Sequence, residues 1–199
     1  MENSSYNPYV TERIRRFDGR ITGVCYSSPF INCGRNGHTL LNDRNIVSLH
    51  NQFFDETALI ITPLQGNRLT DFLQAPDNYS CLRSDNVRLA INYAALHQAG
   101  PALTSLAADF HFWLYDLAPP GTQWRNIETF PLSGIVLTND FFNENYLKFS
   151  FPFLLSTFRE REVEVILRTP ALTLTDECYA RLHISGWQEQ RTSSDLLEV

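Results

Sequence analysis

Residues 87–95, VRLAINYAA, alternate between apolar and polar side chains. Val87, Leu89 and Ile91 occupy odd positions, whereas Arg88 and Asn92 occupy even positions. Successive side chains of a β-strand point to opposite faces of a sheet, so a period of two predicts a strand with one buried face. The segment is therefore predicted to form a half-buried strand.

The same alternation recurs along the chain. Val163 and Val165 alternate with Glu164 in one of the clearest patterns. Pro152 restricts its own segment to a sheet edge or a strand end, because proline cannot donate a hydrogen bond to a neighbouring strand. Strands are predicted at residues 21–26, 58–62, 87–95, 107–116, 134–138, 147–153, 163–168 and 178–187.

Helical periodicity is weak by comparison. Residues 68–74 and 11–17 fit short helices, and residues 41–54 fit a helix or a strand equally well. Parallel strands need crossover helices. The scarcity of helical patterns therefore favours antiparallel sheets arranged as a sandwich, a jelly roll or a closed barrel. The predicted fold is all-β, an antiparallel two-sheet sandwich or jelly-roll-like domain with few short helices.

The length and composition indicate one soluble globular domain. The chain has 199 residues, 43% of them hydrophobic, and it contains no run of about 18 apolar residues and no apolar signal sequence. A formal net charge of −6 argues against a nucleic-acid surface. We expect a single β-rich cytoplasmic domain over residues 1–199, with a polar, arginine-containing N-terminal arm (1–20) and a polar C-terminal tail (188–199).

Arginine replaces lysine almost completely. Lys148 is the only lysine among the 16 basic residues. Arginine suits interfaces and fixed ion pairs, because its planar guanidinium has five donors and is weakly hydrated. A lysine-poor surface also offers few acceptors for ubiquitin, which would suit a viral or effector protein in a host cytosol. Interface use, escape from conjugation and a bias of the lineage all remain open as explanations.

The cysteines and histidines do not form a metal motif. Cys25, Cys33, Cys81 and Cys178 include no C-x-x-C pair, so neither a metal nor a cofactor is predicted. Cys25 or Cys33 with a histidine is formally compatible with a small hydrolase, although no sequence around either cysteine is typical of an exposed nucleophile.

Two predicted strands carry polar and aromatic side chains on their second faces. If they were neighbours, these residues would form a surface able to bind a glycan or a peptide. Cover by a loop or another subunit also explains outward aromatic residues and is the favoured interpretation. The face comprises Asp109, His111, Trp113 and Tyr115 on one strand, and Tyr179, Arg181, His183 and Trp187 on the other.

These features together favour association over catalysis. No residue is assigned a catalytic role and no stretch resembles a known family, so the interpretation leans towards a non-enzymatic protein. We expect a structural or interaction protein that forms a homo-oligomer or docks on a larger complex, such as a viral structural subunit in a virion or a host-acting effector. A carbohydrate- or peptide-binding β-sandwich module and a small Cys/His hydrolase are the alternatives.

Overall fold

A computed structural model describes residues 9–27, 43–117, 119 and 121–191 of the chain. Eight strands form a closed barrel in sequence order. Their bounds are Val10–Arg15 (β1), Ile21–Ser27 (β2), Leu59–Pro63 (β3), Val87–Asn92 (β4), Phe112–Tyr115 (β5), Leu132–Thr138 (β6), Glu164–Thr169 (β7) and Gly186–Glu189 (β8).

The barrel is parallel except at its first strand. β2 to β8 pair in parallel, whereas β1 is antiparallel to both β2 and β8. A short hairpin turn at residues 16–20 causes this reversal, and Gly19 supplies a left-handed backbone conformation there with φ of 86°. The first residues of β1 therefore lie beside the last residues of β2, at the carboxyl end of the barrel.

Helices connect the parallel strands. They are Asp43–Phe53 (α1), Gly66–Gln74 (α2), Tyr93–Leu106 (α3), Trp124–Thr129 (α4), Asn139–Asn145 (α5), Phe151–Glu160 (α6) and Asp176–Arg181 (α7), with a 3₁₀ helix at Pro76–Leu82. Of the helices in the described part of the chain, none has the length and hydropathy needed to cross a membrane.

Two apolar layers hold the barrel together. The larger one lies between the outer faces of the strands and the helices, and Leu89 and Ile91 of β4 belong to it. The smaller one fills the barrel interior and is built from inward-facing residues of six strands. Its buried members are Ile14, Ile61, Ala90, Trp113, Val136 and Ile166.

The predicted antiparallel two-sheet sandwich or jelly-roll-like domain is wrong, because the strands close into one barrel and most of them are parallel. The crossover helices were missed where a helix follows its strand directly. The apolar alternation of β4 continues by chance through Tyr93 and Ala95, yet these residues begin α3. Asn92 ends the strand and caps the helix, since its side-chain oxygen accepts a hydrogen bond from the Ala95 amide at 2.8 Å.

Two of the predicted strands consist mostly of turn and helix. The segment 147–153 leads into α6, where Pro152 occupies the first turn, a position that proline tolerates because those amides lack helical partners. The segment 178–187 contains most of α7, and only its last two residues belong to β8. Conversely, the helix predicted at 11–17 is mostly β1.

Other predictions are confirmed by the structure. Strands occur at β2, β3, β6 and β7, close to the predicted bounds, and α2 covers the helix predicted at 68–74. The ambiguous segment 41–54 forms α1 in its described part. Parts of both predicted terminal segments also belong to the barrel, since β1 lies in the proposed arm and Gln188 and Glu189 lie in β8.

Gly134 gives Trp113 its place inside the barrel. These residues face each other across β5 and β6, and Trp113 is fully buried. A Cβ added at Gly134 would lie 2.5 to 2.8 Å from three atoms of the indole ring. Such a contact is too short for any side chain, so Trp113, the largest residue of the interior, fits only because Gly134 has no side chain.

Replacing Gly134 by alanine is therefore expected to lower the free energy of unfolding by about 1 to 3 kcal/mol, as overpacked cores do. Gly100→Ala is the matched control, because the added Cβ meets no atom closer than 3.8 Å within a helix. That control is expected to gain up to about 1 kcal/mol. Urea denaturation measures both, and equal effects of the two changes would contradict the packing argument.

His50 is a buried polar residue with both ring nitrogens bonded. Its Nε2 lies 3.1 Å from the carbonyl oxygen of Ala58, which can only accept, so Nε2 carries the proton. Nδ1 then accepts a hydrogen bond from the Tyr26 hydroxyl at 2.9 Å. Burial lowers the pKa of His50, because a charged ring would lose its hydration.

Stability is therefore expected to fall as the pH decreases below about 6.5, because the unfolded chain binds the His50 proton before the folded chain does. Above that pH the ring is neutral in both states and contributes no slope. The difference between wild type and His50→Gln in denaturant midpoint, measured from pH 7.5 to pH 5, isolates this contribution. His97→Gln, at an exposed position, is the control and is expected to keep the wild-type slope.

Candidate functional site

The inward side chains change from apolar to polar at the carboxyl end of the barrel. Alternation along each strand places the residues two positions beyond the interior layer on the same inner face. In β4, for example, Ala90 belongs to the interior layer and Asn92 follows it on that face. We call this set the carboxyl rim, and it includes Glu12, Cys25, Asn92, Tyr115, Thr138, Arg168 and Gln188.

An ion pair between β1 and β7 forms one side of the carboxyl rim. Arg168 donates from Nε to one carboxylate oxygen of Glu12 at 2.7 Å and from Nη2 to the other at 2.6 Å. The two parallel hydrogen bonds match the planar fork of a guanidinium. Arg168 thus lowers the pKa of Glu12 although burial of the carboxylate opposes the shift, and Glu12 raises the pKa of Arg168.

Gln188 of β8 connects this pair to the opposite side of the barrel. Its Nε2 donates to Glu12 Oε2 at 2.6 Å, and its Oε1 accepts from the Tyr115 hydroxyl at 2.7 Å. The backbone amide of Arg191 also donates to Glu12, at 3.3 Å. The Glu12 carboxylate therefore accepts four hydrogen bonds, which equals its lone-pair capacity.

Cys25 lies beside this network on β2. Its thiol contacts the Tyr115 hydroxyl and the Gln188 side chain, and burial is the main cause that raises its pKa to about 12. The pKa of Tyr115 is also raised well above its usual value, first because of burial. Neither group ionises near neutral pH, so both act here as hydrogen-bonding groups without charge.

The arrangement suits binding better than proton transfer. Glu12 and Arg168 are the charged members of the carboxyl rim and their charges cancel. Asn92 and Thr138 cap α3 and α5. Their side-chain oxygens accept hydrogen bonds from the backbone amides of Ala95 and Phe141, respectively. A general acid or base needs a pKa near the working pH, which none of the shifted groups of the network has.

A metal-ligand cluster is not found in the part of the chain that the structure describes. No group of three or more His, Cys, Asp or Glu side chains is close enough there to hold an ion. The Glu12 carboxylate already accepts hydrogen bonds at both oxygens, and the side-chain oxygens of Asn92 and Thr138 accept from helix amides. The described residues of the carboxyl rim therefore do not fit a metal ion.

The first predicted ligand face divides along β5. Tyr115 reaches the carboxyl rim, whereas Trp113 is buried in the barrel interior. Asp109 and His111 precede the strand at the amino end, where each lies near a charged partner, Arg83 for Asp109 and Asp85 for His111. The four residues therefore do not share a surface.

The second predicted face is not a strand. Tyr179 is buried on α7 and stacks on Phe17, and Arg181 is exposed at the end of the same helix. His183 follows in a left-handed conformation near Arg159. Trp187 lies on β8 and pairs with Leu167 of β7 and Arg15 of β1. Because β8 does not pair with β5, the structure does not bring the two predicted faces together.

Sequence reasoning missed Glu12, Arg168 and Gln188. Glu12 fell in a predicted helix and Gln188 in a predicted tail, while Arg168 was assigned to the polar face of its strand. The signal that could have found them is a polar residue following an inward apolar residue at the end of a parallel strand. That signal becomes visible only once the strands are known to be parallel.

Solved structures with similar folds contain EAL domains. The Bacillus subtilis YkuI protein, with an EAL domain and in complex with substrate c-di-GMP and calcium, has a TM-score of 0.63 at 10% identity. The match covers 90% of this chain and 53% of YkuI, so this chain spans about half the length of that protein. No protein family matches the sequence, and no curated protein is similar to it in sequence.

Two further structures support the same fold. The PaMucR phosphodiesterase in complex with c-di-GMP has a TM-score of 0.59 at 13% identity, covering 95% of this chain and 94% of that one. Vibrio cholerae LapD, with its S helix, GGDEF and EAL regions and bound to c-di-GMP, has a TM-score of 0.65 at 11% identity. That match covers 90% of this chain and 52% of LapD.

These similarities correct the predicted function. The expectation of a non-enzymatic structural or interaction protein, such as a viral subunit or effector, is wrong, because it depended on a sandwich and the fold is one found in a phosphodiesterase. The β-sandwich binding module is wrong for the same reason. The Cys/His hydrolase is not supported at Cys25, whose neighbours in the rim network include no histidine, and Cys33 lies outside the described residues.

The Cys25 thiol is expected to react slowly with iodoacetamide. A pKa of about 12 instead of the ordinary 9.0 lowers the thiolate fraction about a thousandfold at neutral pH. Peptide mapping by mass spectrometry after timed labelling should show alkylation of Cys25 at least tenfold slower than that of a model peptide thiol. Labelling faster than the model thiol would contradict this description of the site, and urea-unfolded protein is the control for reagent access.

Proposed function

We propose that this chain binds a cyclic dinucleotide of the c-di-GMP class at the carboxyl end of the barrel, without metal-dependent hydrolysis. The carrying observation is an EAL-type barrel whose carboxyl rim is polar and hydrogen-bonded but does not fit a metal ion. Barrels of this kind place their ligand sites at the carboxyl ends of the strands. Three structures with a similar fold contain c-di-GMP.

Binding without hydrolysis follows from the state of the polar groups. Metal-assisted hydrolysis needs an ion that activates water, and the Glu12 carboxylate has no oxygen lone pair left to hold one. The Cys25 thiol and the Tyr115 hydroxyl stay protonated at neutral pH, so neither supplies a nucleophile. The same groups donate and accept hydrogen bonds, which is what phosphodiester oxygens and guanine edges require.

The location and assembly of the protein stay predictions from the sequence. A cytoplasmic site of action suits a ligand-binding barrel. The protein is also predicted to form a homo-oligomer, which is compatible with the proposed binding. Absolute mass by light scattering tests it directly.

Isothermal titration calorimetry with c-di-GMP in the presence of EDTA tests the proposed function. Saturable binding is expected in EDTA, with an unchanged dissociation constant when Mn²⁺ or Ca²⁺ replaces EDTA. Chromatography of the incubated mixture should show intact cyclic dinucleotide. The proposal fails if binding is absent in EDTA and appears only with a metal ion, or if linear product accumulates.

A pair of glutamine variants locates the site. Gln188→Ala removes the residue that joins Glu12 to Tyr115 and is expected to weaken binding about tenfold, the effect of losing one or two hydrogen bonds. Gln74→Ala changes an exposed glutamine at the end of α2 and should bind like wild type. Thermal melts verify that both variants fold, and equal binding by the two folded variants would place the ligand elsewhere.

A further inference from the structure

The ion pair at the carboxyl rim is asymmetric in its exposure. The Glu12 side chain is 11% exposed, whereas the Arg168 side chain is 32% exposed. The Arg168 side chain is therefore the more accessible member of the pair to an approaching ligand, and Glu12 is the less accessible one. This order is the reverse of what a site built to capture a metal ion requires.

We propose that Arg168 binds a phosphate group of the ligand through the guanidinium N–H groups that do not bond to Glu12. The inference rests on the proposed function and names the residue that gives it affinity. Two of the five guanidinium N–H groups bond to Glu12, and the described residues leave the other three for an anion. Guanidinium groups bind phosphate through parallel hydrogen bonds of this kind.

Glu12 acts as the positioning residue for this cation. An isolated arginine side chain has several rotatable bonds, and fixing it costs conformational entropy when a ligand binds. Here the two hydrogen bonds from Nε and Nη2 fix the guanidinium plane before any ligand arrives. Gln188 and the Arg191 amide hold the carboxylate in turn.

The same carboxylate also limits the strength of the site. Its charge offsets that of Arg168, so an anion at the rim experiences little net attraction at long range. Glu12→Gln removes that charge and leaves one of the two acceptor oxygens for Arg168. The gain in attraction is expected to exceed the loss of one positioning hydrogen bond, so this change should strengthen anion binding. A pair with only a structural role predicts the opposite, since any change to it would weaken the site.

The test measures c-di-GMP affinity in EDTA for wild type and three variants. Arg168→Gln alone would leave the Glu12 charge without its partner and endanger folding, so the informative variant is the double change Glu12→Gln with Arg168→Gln, which keeps the net charge of the protein. Glu12→Gln alone leaves Arg168 uncompensated. Arg20→Gln is the matched control, because it removes one exposed arginine at the amino end of the barrel.

The double variant is expected to bind at least about tenfold more weakly than wild type, as the loss of a charged hydrogen bond predicts. Glu12→Gln is expected to bind more tightly, with a steeper loss of affinity as salt is added, and Arg20→Gln to bind like wild type. Wild-type affinity in a folded double variant would overturn the role of Arg168 while leaving the proposed function intact. Absence of binding by wild type would instead overturn the proposed function.

Discussion

The reversal of β1 decides which charges meet inside the barrel. β1 and its continuation carry Glu12 and Arg16, and β7 carries Glu164 and Arg168, with the same spacing of four residues. Because β1 runs against β7, Glu12 meets Arg168 at the carboxyl end and Arg16 meets Glu164 at the amino end, at 2.9 Å. A parallel β1 would place like charges together, which is costly at partly buried positions.

The two ion pairs enclose the apolar interior between polar ends. β8 lies between β1 and β7. Gly186 of β8 allows a close approach to β1, since a Cβ at this position would lie 2.4 Å from the Arg15 carbonyl oxygen. Trp113 fills the middle of the barrel, so a ligand cannot pass through it. The proposed binding is consequently confined to the carboxyl rim, where the strands carry the hydrogen-bonding side chains of the network.

The sequence predicts individual strands better than their arrangement. Alternation located β7 because it has one face against the helices and one in the interior, and a short β-like run located β6. It failed at Asn92, where strand and helix join without a loop and local periodicity cannot separate them. Parallel pairing is a property of distant contacts, and the rim depends on it: Glu12 and Gln188 are 176 residues apart in sequence.

The pairing of β1 with β8 also governs when the structure forms. Ile14 pairs with Gln188 and Arg15 pairs with Trp187, so the barrel closes by joining its first strand to its last. During synthesis, the edge of β1 that pairs with β8 stays unpaired until residue 189 has emerged from the ribosome. Until the barrel closes, the Glu12 carboxylate is hydrated and not paired with Arg168. Barrel closure therefore waits for β8, and a chaperone that shields an open strand edge would act on this interval.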